Sequence, residues 1–175
     1  MRHYLISIIG IILSVNVSYS QNVKSIFKDI EKEKYVEAIE KVNTIRNDNS
    51  LSIFEKTLLN ISDLLLKNTP TIAYYNPYDA ISIFGIIKYT TNEDVLKFLL
   101  KNEITFTVLE SDIFENILKY SKERNTEIAY EKALSVCENC SYKAEAEKLM
   151  VEAASMEALA KNTIKGYKYC LNKYP

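Results

Sequence analysis

Apolar positions along this chain recur mostly at three- and four-residue steps, the period of a helix with one buried face. The clearest run is Leu51, Phe54, Leu58, Ile61 and Leu65, which predicts a helix of about four turns. Ser52 and Glu55 have capping-box spacing there, and Asn47-Asp48-Asn49-Ser50 supplies the preceding turn. Ile113, Ile117 and Tyr120, with Phe114 and Leu118 beside them, form a second stripe. A third joins Tyr142, Ala146, Leu149, Ala153, Met156 and Ala160, whose small residues let a neighbouring helix come close. Shorter helices are predicted at 23–32, 35–46, 78–88, 93–101, 127–138 and 162–173, with Thr90 and Glu93 as a second capping box. The polar breaks between them, such as Lys67–Thr71, Thr90–Asn92 and Glu123–Thr126, are short. Connections of that length suit antiparallel helix neighbours. Ile104-Thr105-Phe106-Thr107-Val108 is β-branched and alternating, but it has no partner strand and reads as an extended connector or a helix start. The expected fold is all-α: an antiparallel helical hairpin array or short α-solenoid of about eight or nine helices.

The first twenty residues have a different character. Arg2 and His3 precede the apolar run Tyr4–Leu13, and Ser18-Tyr19-Ser20 places small residues where a signal peptidase reads, before polar Gln21-Asn22. Ser14 and Asn16 stop the run short of a membrane span, which needs about 20 apolar residues. The layout predicts a secretory signal peptide, 1–20, cleaved after Ser20, and a single helical domain, 21–175, that is secreted or periplasmic and does not insert in the membrane.

Composition then narrows the chemistry. Cleavage removes Arg2 and no acid, leaving 21 basic residues against the 23 acidic ones, a balance that gives no electrostatic footprint for nucleic acid. His3 is the sole histidine and departs with the signal, which removes the usual general base and the commonest zinc ligand. Only Gly85 and Gly166 remain of the glycines, too few for a phosphate-binding loop. Carboxylate pairs such as Glu93/Asp94, Glu110/Asp112 and Glu145/Glu147 read as solvated helix surface. No catalytic, cofactor-binding or metal residues are assigned.

Two patterns carry candidate chemistry. Cys137-Glu138-Asn139-Cys140, with Cys170 downstream, could be a redox pair, a partial zinc site or a structural disulfide. The structural disulfide suits an exported protein best, with Cys137 bonded to Cys140 or Cys170. Tyr74-Tyr75-Asn76-Pro77-Tyr78 is the densest group among 13 tyrosines. Pro77 holds the preceding residue extended, so the segment should form a rigid corner. Tyr74, Tyr75 and Tyr78 are therefore candidate partner-binding residues, because rigid aromatic rings bind at low entropic cost. Tyr78 is the one expected to be most buried.

Tyr35-Val36-Glu37-Ala38-Ile39-Glu40 puts a tyrosine three residues before an alanine at a helix–helix corner, and Thr163 to Pro175 ends a helix with a Tyr-Pro stop. Both resemble tetratricopeptide repeats, with fainter echoes at Tyr78-Asp79-Ala80-Ile81 and Glu127–Leu134. The resemblance implies paired antiparallel helices that bind a protein or peptide partner and carry no chemistry of their own. The expected function is an exported, non-enzymatic interaction scaffold; the alternative is a surface glycan-binding protein or a small carboxylate-dependent secreted hydrolase.

Overall fold

The structure is a computed structural model that describes residues 22–137 and 139–175. The expected signal peptide, 1–20, lies outside the described residues. Among the described residues the chain forms nine helices and no strand. They are α1 (22–31), α2 (Tyr35–Ile45), α3 (Ile53–Lys67), α4 (Pro77–Ile87), α5 (Glu93–Lys101), α6 (Phe106–Arg124), α7 (Glu127–Ser135), α8 (Lys143–Lys161) and α9 (Ile164–Lys173). None of them is long and apolar enough to cross a membrane. The all-α expectation therefore holds. Contacts divide the chain into two compact units, one ending at Phe106 and the other running from Thr107 to Pro175.

In the first unit α3 is the central element and packs against α2, α4 and α5. Its start is set by sequence: Ser52 accepts from the Glu55 amide, and the Glu55 carboxylate accepts the Ser52 N–H at 2.9 Å. The box satisfies amide groups that the first turn would otherwise leave without partners. Leu58 and Ile61 are 0% exposed, but so are Leu64 and Leu66, and Asp63 is buried as well. The helix is thus enclosed on more than the one stripe its periodicity predicts, because neighbours cover it from three directions. The second expected capping box does not form. Asn92, two residues after Thr90, caps α5 by accepting from the Asp94 and Val95 amides at 3.1 Å. Asparagine is the stronger N-cap, and its short amide reaches both donors.

In the second unit α8 packs on α7 and α9. Its buried residues are Ala146, Ala153, Ala154 and Ala158, whereas Met156 and Ala160 of the expected stripe are exposed. A strict 3.5-residue repeat slips about 20° per heptad on a straight helix, so the buried face leaves the predicted positions toward the C-terminus. The segment 104–108 resolves into a helix start, since α6 begins at Phe106.

Among the described residues four non-glycine residues hold a left-handed backbone: Glu33, Glu103, Asn125 and Asn162. Each sits just past a helix, in the place glycine usually takes. After α5, the Ile104 amide bonds to Leu99 O at 3.0 Å and the Glu103 amide to Leu100 O at 3.2 Å. After α1, the Lys34 amide bonds to Asp29 O at 2.8 Å and the Glu33 amide to Ile30 O at 3.0 Å. Both are Schellman turns built without glycine. That is how a chain so poor in glycine still makes short corners.

Candidate functional site

The tyrosine corner between α3 and α4 is held by charge. Asn76 caps α4 with its side chain, and Pro77 occupies the first turn, where its missing N–H costs nothing. The Tyr74 hydroxyl donates to Asp63 Oδ1 at 2.9 Å. Arg46 donates to the Tyr74 oxygen at 3.2 Å and pairs with Asp63 Oδ2 at 2.8 Å. Lys67 lies 4.4 Å from the centre of the Tyr74 ring and pairs with Asp79 at 3.0 Å. Burial, then the Asp63 charge, pushes the Tyr74 hydroxyl above its usual 10.0, with Arg46 opposing. A hollow of about 290 Å³ opens beside this cluster, lined in part by Asn60, Asp63, Lys67 and Ser82. Tyr74 and Tyr75 are half-buried, while Tyr78 is 9% exposed and belongs to the core. Tyr78 therefore has no ring surface to offer.

A second cluster lies in the other unit. Glu127, at the start of α7, accepts from Lys173 at 2.6 Å, from the Tyr174 hydroxyl at 2.8 Å and from the Tyr169 hydroxyl at 2.9 Å. Lys173 also pairs with Glu131. Burial pushes the Glu127 carboxyl up, but the donors, Lys173 foremost, outweigh it and hold the group below its usual 4.5. The hydrogen bonds to Glu127 and Glu131 hold the Lys173 ammonium well above its usual range. Burial, then the bond to Glu127, pushes Tyr174 up to about 12. Beside the cluster runs a groove of about 400 Å³, lined by Glu131 and Ile128 of α7, Glu157 and Lys161 of α8, and Lys165 and Tyr169 of α9. Spacing along the chain carried no sign of this network, because its partners stand 42 to 47 residues apart. The only local hint was the tyrosine-rich last helix.

The corners before α7 and α9 share one construction. Asn125 and Asn162 are left-handed, Thr126 and Thr163 cap the next helices, and Tyr130 and Tyr167 donate back to the asparagines at 3.1 Å. Ala129 and Gly166 occupy the matching small position three residues after the caps. A methyl on Gly166 would stand 3.6 Å from Ala158 Cα, so α9 approaches α8 closely there.

Cys137 and Cys140 stand at disulfide distance, their Cα atoms 5.4 Å apart. α7 ends at Ser135, short of the expected 138, so the pair lies beyond the helix. Cys170 is free, with its sulfur 3.5 Å from Ser155 Oγ. Among the described residues no three metal-ligating side chains converge. Fold and sites together define an all-helical protein with open grooves. Compared with family models, curated proteins and solved structures, the chain matches none.

Proposed function

We propose that the protein is an exported, non-enzymatic scaffold whose paired antiparallel helices, tetratricopeptide-like in character, bind a protein or peptide partner. The observation that carries this reading is the groove lined jointly by α7, α8 and α9. A surface assembled from consecutive helices is what helical repeat proteins use for recognition. The carboxylate at its edge, Glu127, speaks for binding over acid–base work. A general acid near neutral pH needs a raised pKa, and Glu127 is pushed the other way by donors that hold it in the fold. The shared Asn-Thr corner before α7 and α9 supports a repeating helix pair, since the same turn chemistry recurs 37 residues on, from Asn125 to Asn162.

Export rests on the amino-terminal layout, and a protein beginning at Gln21 in the envelope or medium would support it. The binding reading is tested by affinity capture from the envelope fraction of the source cells, with the wild-type protein and an Ile128→Glu, Lys165→Glu variant of that groove as baits. The expected result is a stoichiometric partner retained by the wild type and lost by the variant. Hydrolytic turnover that disappears on carboxylate-to-amide substitution, with no partner captured, overturns it.

A further inference from the structure

A groove of about 620 Å³ is lined by α1 and α5, with Phe54 contributed from α3. Phe27 and Phe98 meet edge-on in it, with ring centres 4.7 Å apart, and Phe54 extends this aromatic floor. Lys24 and Lys28 line it from α1, and Lys97 and Lys101 from α5. In each pair the residues are four apart, so both side chains occupy one face of their helix. Two lining carboxylates, Glu31 and Asp94, oppose these four lysines. The groove is therefore locally cationic on a chain whose formal charge is −1. Lys97 pairs with exposed Glu93 at 3.4 Å, a screened contact that a ligand can displace. Lys24, Lys28 and Lys101 make no ion pair among the described residues.

We propose that this groove binds an acidic peptide segment carrying an apolar or aromatic anchor. The anchor packs on the phenylalanine floor, and flanking carboxylates meet the lysines. Lysine stems add apolar surface to such a groove while their heads stay in water. Charge complementarity decides the occupant. One anionic head group is best held by a focused set of donors, whereas these lysines are exposed and spread over two helices. Distributed cations match distributed carboxylates, which a peptide carries and a small amphiphile lacks. The proposal rests on the scaffold reading and gives one partner its chemistry.

The test pans the purified protein against a display library of random short peptides. Affinities of enriched sequences are then read by fluorescence anisotropy. Enriched peptides should be rich in Asp and Glu around a Phe, Leu or Ile. Their binding should weaken with salt and fall about tenfold or more in the Lys28→Glu, Lys101→Glu double variant. Lys24→Gln with Lys97→Gln, which only removes charge, should weaken it less. Both variants change exposed side chains, and circular dichroism checks that they stay folded. Neutral or basic peptides, or acidic ones indifferent to charge reversal, overturn the groove proposal and leave the scaffold reading standing. Lysine-dependent binding of dodecanoate without any acidic peptide also overturns it, in favour of an amphiphile site. Failure to enrich any peptide likewise overturns the groove proposal, whereas the scaffold reading falls only if affinity capture retains no partner.

Discussion

The Tyr130 hydroxyl donates to Asn125 Oδ1 at 3.1 Å, tying a buried ring to the left-handed residue that turns the chain into α7. Tyr130 is 1% exposed, so an unpaired hydroxyl there would bear a desolvation cost that no hydrogen bond offsets. Asn125→Ala removes the acceptor and places a residue without local hydrogen bonding in the left-handed region. It should cost about 1–3 kcal/mol, read from urea unfolding. Asn125→Gly keeps the backbone and loses only the bond, so it should cost less.

Glu103 tests the opposite case. Its left-handed backbone closes the turn after α5, and its side chain is exposed. Glu103→Gly should raise stability by about 0.5–1 kcal/mol, because glycine takes this conformation without the Cβ penalty. A lowered unfolding midpoint would mean that the charge matters more than the backbone.

Leu58 and Ile61 are both fully buried on α3. Truncating either to alanine should cost about 2–5 kcal/mol, the range for large-to-small changes in a core. Unfolding midpoints within error of the wild type would place that face outside the core.

The Glu127 cluster makes the last helix sensitive to pH. Glu127 titrates below its unfolded value of 4.5, so its contribution is complete above 4.5 and is lost as pH falls through the lower folded value. Tyr174 is raised from 10.0 to about 12, so its contribution is complete below 10.0 and is lost as pH rises through 12. Protection factors of the α9 amides, corrected for the intrinsic pH dependence of exchange, should therefore fall at both extremes while those of α3 hold. Glu127→Gln should abolish the acid response.

Alkylation under non-reducing conditions should label Cys170 alone, and all three cysteines after reduction. A pairing of Cys137 with Cys170 would instead leave Cys140 labelled.

How much of this could be read along the chain varies by element. α3 was legible because its cap, its preceding turn and its periodicity agree, and such agreement is what a foldable sequence shows. The C-terminal end of α7 and the cap of α5 were less so. At α5 two residues, Thr90 and Asn92, compete for one role, and geometry selects between them. The tyrosine corner was legible as a corner, but its ties to Arg46 and Asp63 were not, since they join residues 28 and 11 apart from Tyr74.

Sequence by itself determined that the chain is helical, where most helices lie and, for α3, which residues start it, because these depend on neighbours within about one turn. It also bounded the chemistry, since a chain whose only histidine is His3 lacks the usual general base in the rest of its length. Tertiary structure alone decided which face of α8 is covered, that α3 is enclosed on several sides, and that it is Cys140 that stands at disulfide distance from Cys137. It also decided that Glu127 serves as an anchor for Tyr169, Lys173 and Tyr174. These depend on distances between residues far apart in the chain, which local periodicity does not encode.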